Sequence, residues 1–473
     1  MATNISTAFL TLFDAEVHQA FQGESVLAGT VRTRTEVGSS VVKFPKLASA
    51  QASERTPGAE VTAVNATWSQ ASVTLKDWSA SEYSDIFNQA KVNYDERSEL
   101  AEMLGAPVCT GYQHNDAFPG SHPLHCGPLG YNGSKAAMQI IKKADIVLAL
   151  GTRLNPFSTL PGYGIDYWPK QAKIIQVDIN SDRIGLTKKV SLGIVGDAKK
   201  VINGLISHLN ISTDDNLKKE RSNFISQTKS SWAQELSSLD HEEDDPGTTW
   251  NERARKREPE KMSPRMAWRS IQSALPKDAI ISSDIGNNCA IGNAYPTFEE
   301  GRKYLAPGLF GPCGYGLPAI IGAKIGQPSV PVVGFAGDGA FGISVNEMTS
   351  IGRKEWPAIT MVIFRNYQWG AEKRNTTLWF KDNFVGTELD LNVSYAKMAE
   401  ACGFTGKASK SMDELRDQLT DAIRDQMENS KTTFLEVMLN QELGEPFRRD
   451  AMKAPVEVSG ISENDMESSV SSS

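Results

Sequence analysis

Val330-Pro-Val-Val-Gly-Phe-Ala336, then Gly337-Asp-Gly339, then Ala358-Ile-Thr-Met-Val-Ile-Phe364 ending at Asn366, is the stretch on which the fold turns. Two short apolar runs bounded by glycine and polar residues predict buried strands. The spacer predicts a tight turn at 337–339 and a helix over 345–353, which makes one βαβ unit. A right-handed crossover delivers the C-terminal ends of both strands to the same sheet edge, where open α/β sheets bind ligands. Asp338 and Asn366, 28 positions apart (366 minus 338), therefore converge. A carboxylate, an amide oxygen and a nearby main-chain carbonyl suit Mg²⁺, a hard cation that takes its remaining ligands from a phosphate. Glycines let the backbone approach that phosphate, and a helix start offers it N–H groups. Gly-Asp-Gly alone is also an ordinary turn tripeptide; Asn366 after the next strand is what favours a metal-bridged diphosphate site.

Outward from this unit the strand, glycine turn and helix alternation continues. Ala144–Leu150 before Gly151, Lys173–Ile179 and Ala279–Ser283 all read as strands of parallel sheets flanked by helices. Residues 1–97 differ: they are rich in Ser, Thr, Ala and Val, with alternating stretches such as Val73–Trp78 that read as β. Residues 209–261 are polar and charged, with Glu242-Glu-Asp-Asp245 and Asn251–Glu258, and read as a helix plus an exposed connection. Residues 447–473 are a polar tail. The divisions expected are 1–97, 98–208, 209–261, 262–446 and 447–473.

The 473 residues are 40% hydrophobic and 22% charged, which suits several buried cores and excludes wholesale disorder. A net charge of -8 argues against nucleic acid as a partner. Five cysteines without a CxxC pair argue against a disulfide framework, and no apolar run approaches a membrane span, so a cytoplasmic location is expected. His114, His122, His125 and Cys126 fall within 13 positions but at irregular spacing, which fits loop histidines better than a zinc site.

The combination of Gly337-Asp-Gly339 with Asn366 resembles the signature of thiamine diphosphate enzymes. From about residue 102 to 457 the chain is similar to the branch that acts as acetyltransferases on sulfoacetaldehyde. The similarity is carried by Gly111–Gly120, Gly151–Phe157, Phe310–Pro318, Phe364–Gly370 and Asn440–Pro446. It implies two Rossmann-like parallel-sheet domains, central and pyrophosphate-binding. Asp338, Asn366 and the carbonyl of Gln368 would hold Mg²⁺ against the diphosphate, within a thiamine diphosphate site comprising Gly286, Asn287, Asn288, Cys313, Gly337, Gly339, Ala340 and Gly370. Many relatives have Asn-Asn where this chain has Arg365-Asn366, which leaves the metal role to Asn366 alone. The implied reaction turns sulfoacetaldehyde and phosphate into acetyl phosphate and sulfite, so two anions share a pocket. Arg365, Lys373, Arg374 and His114 are the candidates to meet them.

The same resemblance implies a third, pyrimidine-binding domain with a catalytic glutamate, and a cofactor held between domains that commonly belong to different subunits. No counterpart of that glutamate is visible, so a homo-oligomer or another chain supplying the pyrimidine domain is expected. Residues 1–97 instead resemble the N-terminal part of a tailed-phage major capsid protein, through Asn4–Ala15, Gly29–Thr35 and Asp85–Arg97. The two resemblances meet near Arg97 to Gly105, as in a hybrid chain. A capsid fragment and another thiamine diphosphate enzyme such as acetolactate synthase are the alternative readings.

Overall fold

The computed structural model describes residues 41–47, 68–74, 96–159, 161–209, 215–239, 261–308, 310–353, 356–380 and 383–442. The capsid-like strings at 4–15 and 29–35, nearly all of 85–97, both charged clusters within 242–258 and the Ser-rich end lie outside them. The chain divides into two units, Met1–Tyr83 and Ser84–Ser473. In the first, β1 (Val41–Leu47) pairs antiparallel with β2 (Trp68–Thr74).

The second unit is α/β. Its principal sheet has six parallel strands in the order β12-β13-β11-β10-β8-β9. These are β8 (Ile280–Ser283), β9 (Tyr304–Leu305), β10 (Val332–Gly337), β11 (Thr360–Arg365), β12 (Thr405–Ser409) and β13 (Thr433–Met438). The inner strands are apolar almost throughout because both faces of the sheet are covered. Successive side chains alternate sides. Val333, Phe335, Val362 and Phe364 join Trp268 and Ile271 of helix Pro264–Ala274 and Leu415 and Leu419 of helix Met412–Asn429. Val332, Met361 and Ile363 point the other way, to Ile320 of helix Gly316–Gly326 and Ala399 of helix Tyr395–Ala401.

A smaller parallel sheet orders β5 (Ile146–Leu150), β6 (Lys173–Asp178) and β7 (Leu192–Val195), beside the parallel pair β3 (Val108–Thr110) and β4 (His125–Pro128). The polar stretch expected as helix plus connection supplies helix Asp215–Leu239, whose Ile225, Trp232 and Leu236 are buried in the cores. Its spacing of apolar residues is sparse, which is why the sequence reads as solvated although one stripe packs inward.

Two local expectations change. Gly337-Asp-Gly339 is not a free-standing turn: Gly337 ends β10 and Asp338 opens helix Asp338–Ser344. The spacer helix then runs as two pieces, Asp338–Ser344 and Glu347–Ile351, in place of one over 345–353. Burial of Phe341 and Met348 against the sheet fixes both pieces.

Gly334 sits where β10 has no room for a side chain, since a Cβ would lie 2.5 Å from Met361 Sδ and 3.2 Å from Ile320 Cγ2. Gly334→Ala is expected to lower stability by about 1–3 kcal/mol through overpacking. Urea unfolding of the full chain measures it, and an unchanged midpoint would show that the strand is looser than described.

Candidate functional site: the joined ends of β10 and β11

Parallel pairing sets Gly337 opposite Phe364, so Asp338 leaves its strand level with Arg365, one residue before Asn366. Asp338 is 1% exposed, and its carboxylate bridges the strand ends directly. Oδ2 accepts the backbone N–H of Tyr367 at 2.6 Å and Nη1 of Arg365 at 3.1 Å, while Oδ1 accepts the N–H of Gly339 at 3.0 Å. Burial pushes this carboxyl up to about 6, against the opposing pull of Arg365 and the N–H groups. A carboxylate oxygen can accept two partners, so Oδ1 retains a lone pair for a cation.

The turn after β11 is strained. Tyr367 has φ +59°, rare for a residue with a side chain, and this aims the next peptide back over the strand ends. Trp369 packs on Gly339, where a Cβ would press on the indole at 2.9 Å. The far side is held by Gln441, whose Nε2 donates to the carbonyl of Asn366 and whose carbonyl accepts from Gln368 Nε2.

The remaining candidates surround this junction unevenly. Gly286 has φ +141° and precedes helix Asn287–Ile291, in which Asn287 and Asn288 are both buried. Asn287 Nδ2, Asn288 Oδ1 and Gln368 Oε1 are buried without a hydrogen-bond partner among the described residues. A Cβ on Gly286 or Gly337 would meet nothing within 4 Å, and one on Gly370 would lie 3.4 Å from Asn287 Nδ2. Ala340 is buried in the first turn of the helix that Asp338 opens. Cys313 is half-buried before helix Gly316–Gly326, its thiol raised by burial and by the carboxylate of Asp284. This cradle of unfilled space, unpartnered amides and hard oxygen donors fits a diphosphate with a divalent cation.

The basic candidates do not form one cluster. Arg365 is buried beneath the junction, bonded to Asp338 and to the carbonyls of Asp390 and Val393, with its guanidinium 4.2 Å from the Tyr367 ring. Lys373 is buried against Glu388 and Arg374 against the Tyr131 hydroxyl. His114 belongs to the loop after β3, where burial lowers its basicity, as Arg153 does, against the raising effect of Asp116.

Several residues that the sequence did not single out hold the site together. Asp284, fully buried after β8, accepts the N–H groups of Ile285, Gly314 and Gly316 and so shapes the loop carrying Cys313. Asn115 and Asp116 tie the smaller-sheet region to the larger: Asn115 Nδ2 donates to the carbonyls of Asn293 and Pro296, and Asp116 Oδ2 accepts the N–H groups of Lys303 and Tyr304. Both lie in Gly111–Gly120, so the unusual string marked a seam between elements distant in sequence.

Residues 284–437 match the thiamine pyrophosphate enzyme C-terminal TPP-binding domain, and residues 89–205 match the thiamine pyrophosphate enzyme central domain. The α/β body matches the thiamine pyrophosphate enzymes. Sulfoacetaldehyde acetyltransferase of Roseovarius nubinhibens is 73% identical over 369 residues, covering 78% of this chain and 61% of the relative. The enzyme of the same name from Rhodobacter capsulatus is 71% identical over 367 residues, 78% of this chain and 62% of its own. A probable acetolactate synthase large subunit of Methanocaldococcus jannaschii is 30% identical over 329 residues, 70% of this chain and 53% of its own. The chain thus spans about three fifths of the length of the acetyltransferases it resembles most among these. Residues 5–108 match a phage capsid protein family.

Replacing Arg365 with Met should destabilise the full chain by about 3–5 kcal/mol, because Asp338 is left as an uncompensated buried charge. Denaturant unfolding that moves by less than about 1 kcal/mol would mean that the pair contributes little. His125 gives a pH signature. Burial is the main reason its imidazole is lowered from 6.5 to about 4. Between those values the unfolded chain binds the extra proton, so the contribution is complete above pH 6.5 and is lost on acidification, the loss amounting to about 3 kcal/mol by pH 4. His125→Asn should flatten this part of the pH profile of unfolding; an unaltered profile would assign it to other groups.

Proposed function

We propose that residues 262–442 bind thiamine diphosphate through Mg²⁺, and that the chain serves a thiamine diphosphate-dependent acetyl transfer from sulfoacetaldehyde to phosphate. The observation that carries this is the hydrogen bond from the Tyr367 N–H to Asp338, which ties the carboxylate to the turn that carries Asn366 and Gln368. Identities of 71–73% to sulfoacetaldehyde acetyltransferases, against 30% to an acetolactate synthase, favour this substrate among the thiamine diphosphate reactions.

In this reading Asp338 Oδ1, the Asn366 side chain and the Gln368 carbonyl hold the metal. Gly286, Asn287, Asn288, Gly337, Gly339, Ala340 and Gly370 line the diphosphate, and Cys313 supports the cofactor body. When bound, the cofactor supplies a carbon nucleophile for the aldehyde. Overall the carbon–sulfur bond breaks, sulfite leaves, and a phosphate oxygen takes the acetyl group. Arg365 holds Asp338 in place from behind, and Lys373 acts through Glu388 at the strand bridge between Gln368 and Glu388. His114 is the candidate for the anionic substrates. The pyrimidine end of the cofactor and its glutamate would come from another chain, in a cytoplasmic assembly.

A capsid role for the N-terminal part is the second reading, favoured by the family match at residues 5–108. Calorimetric titration of the full chain with thiamine diphosphate should give binding that requires Mg²⁺ and is lost in Asp338→Ala. Metal-independent binding, or none at all, would remove the enzyme reading. Sulfite release from sulfoacetaldehyde is expected to be slow for the purified chain and to rise when a chain carrying the pyrimidine domain is added; a normal enzymatic rate from the chain alone would reject that division of labour.

A further inference from the structure

Arg374, Tyr131 and Asn287 are all at least nine-tenths buried and come from three separate parts of the sequence. Arg374 lies in helix Gly370–Trp379, Tyr131 in the loop after β4, and Asn287 opens helix Asn287–Ile291. Their hydrogen bonds have a forced order. A guanidinium donates and never accepts, so the Tyr131 oxygen accepts from Arg374 Nη1. The single phenolic hydrogen then goes to Asn287 Oδ1, 2.9 Å away. With its oxygen engaged, the Asn287 amide must turn Nδ2 the other way.

Nδ2 is buried and meets no acceptor among the described residues. It stands 3.4 Å from where a Cβ on Gly370 would be, and Gln368 Nε2 stands 3.6 Å from the same point. The amide therefore faces the start of a ten-residue helix, whose opening N–H groups have no acceptor within that helix. Two unmet N–H bonds of a buried amide, beside helix-start donors and a residue without a side chain, call for an anion.

We propose that Tyr131 and Arg374 are positioning residues that hold Asn287 with Nδ2 presented to a phosphoryl oxygen of the bound diphosphate. This rests on the diphosphate reading above and extends it: the smaller-sheet region contributes to cofactor recognition through Tyr131. Arg374 acts at one remove, polarising the phenol and orienting the amide, and does not touch the anion itself.

The test uses the full chain, inorganic pyrophosphate with Mg²⁺, and calorimetric titration. Tyr131→Phe keeps the ring and removes only the hydroxyl; it should weaken pyrophosphate binding about tenfold, and Asn287→Ala by a similar factor. The double variant should lose no more than the weaker-binding single one, because both break the same chain of contacts. Arg374→Lys, which still donates to the phenol, should bind within about threefold of wild type, whereas Arg374→Met should match Tyr131→Phe. Tyr131→Phe with wild-type affinity, or losses that add in the double variant, would overturn the relay while leaving the diphosphate site standing. If the folded wild-type chain binds no pyrophosphate with Mg²⁺, the diphosphate reading falls and the relay with it.

Discussion

A single buried carboxylate organises the functional end of this protein. Asp338 leaves β10 and accepts the N–H of Tyr367 beyond β11, so two strand ends that parallel pairing sets side by side become one rigid unit. Burial makes that carboxylate costly, and the cost is offset by three N–H donors, one of them the guanidinium of Arg365. Because Arg365 is itself fixed to the carbonyls of Asp390 and Val393 and faces Glu436 at 3.9 Å, the junction extends to β13 and the segment leading to helix Tyr395–Ala401. Displacing any one of these groups would expose another buried charge.

The same logic accounts for the cations around the junction. Arg365, Lys373 and Arg374 are inside the fold, each with a polar partner: Asp338, Glu388 and Tyr131. Each cation is engaged by its partner, so positive charge is held inside the fold beside the strand ends without lying open to solvent. Asp284 plays the complementary part on the other side, drawing three backbone N–H groups around itself and leaving neighbouring glycines free to take positive φ at Gly286, Gly311 and Gly314.

The α/β body and the N-terminal stretch are similar to unrelated kinds of protein, the thiamine pyrophosphate enzymes and a phage capsid protein. Within the α/β body, the region of β3 to β7 is more than a passive neighbour of the larger sheet. Asn115, Asp116 and Tyr131 make side-chain bonds to the helical segment between β8 and β9 and to the start of β9, so the two sheets share one polar seam as well as apolar contacts.

Local sequence determined the features that depend on periodicity and residue type. The apolar runs of β8, β10 and β11 were legible because strands buried on both faces are continuously hydrophobic, and Asp338 and Asn366 stood out because polar residues ending such runs emerge at one sheet edge. Tertiary structure alone decided what those residues face. Nothing in the spacing of Arg365, Lys373 and Arg374 tells a surface charge from a buried one, since partners such as Asp390, Glu388 and Tyr131 arrive from 25, 15 and 243 positions away. The buried stripe of helix Asp215–Leu239 and the bonds made by Gly111–Gly120 were hidden for the same reason: a hydrogen bond or a packed face is specified jointly by two distant segments, and either one read alone carries only half of it.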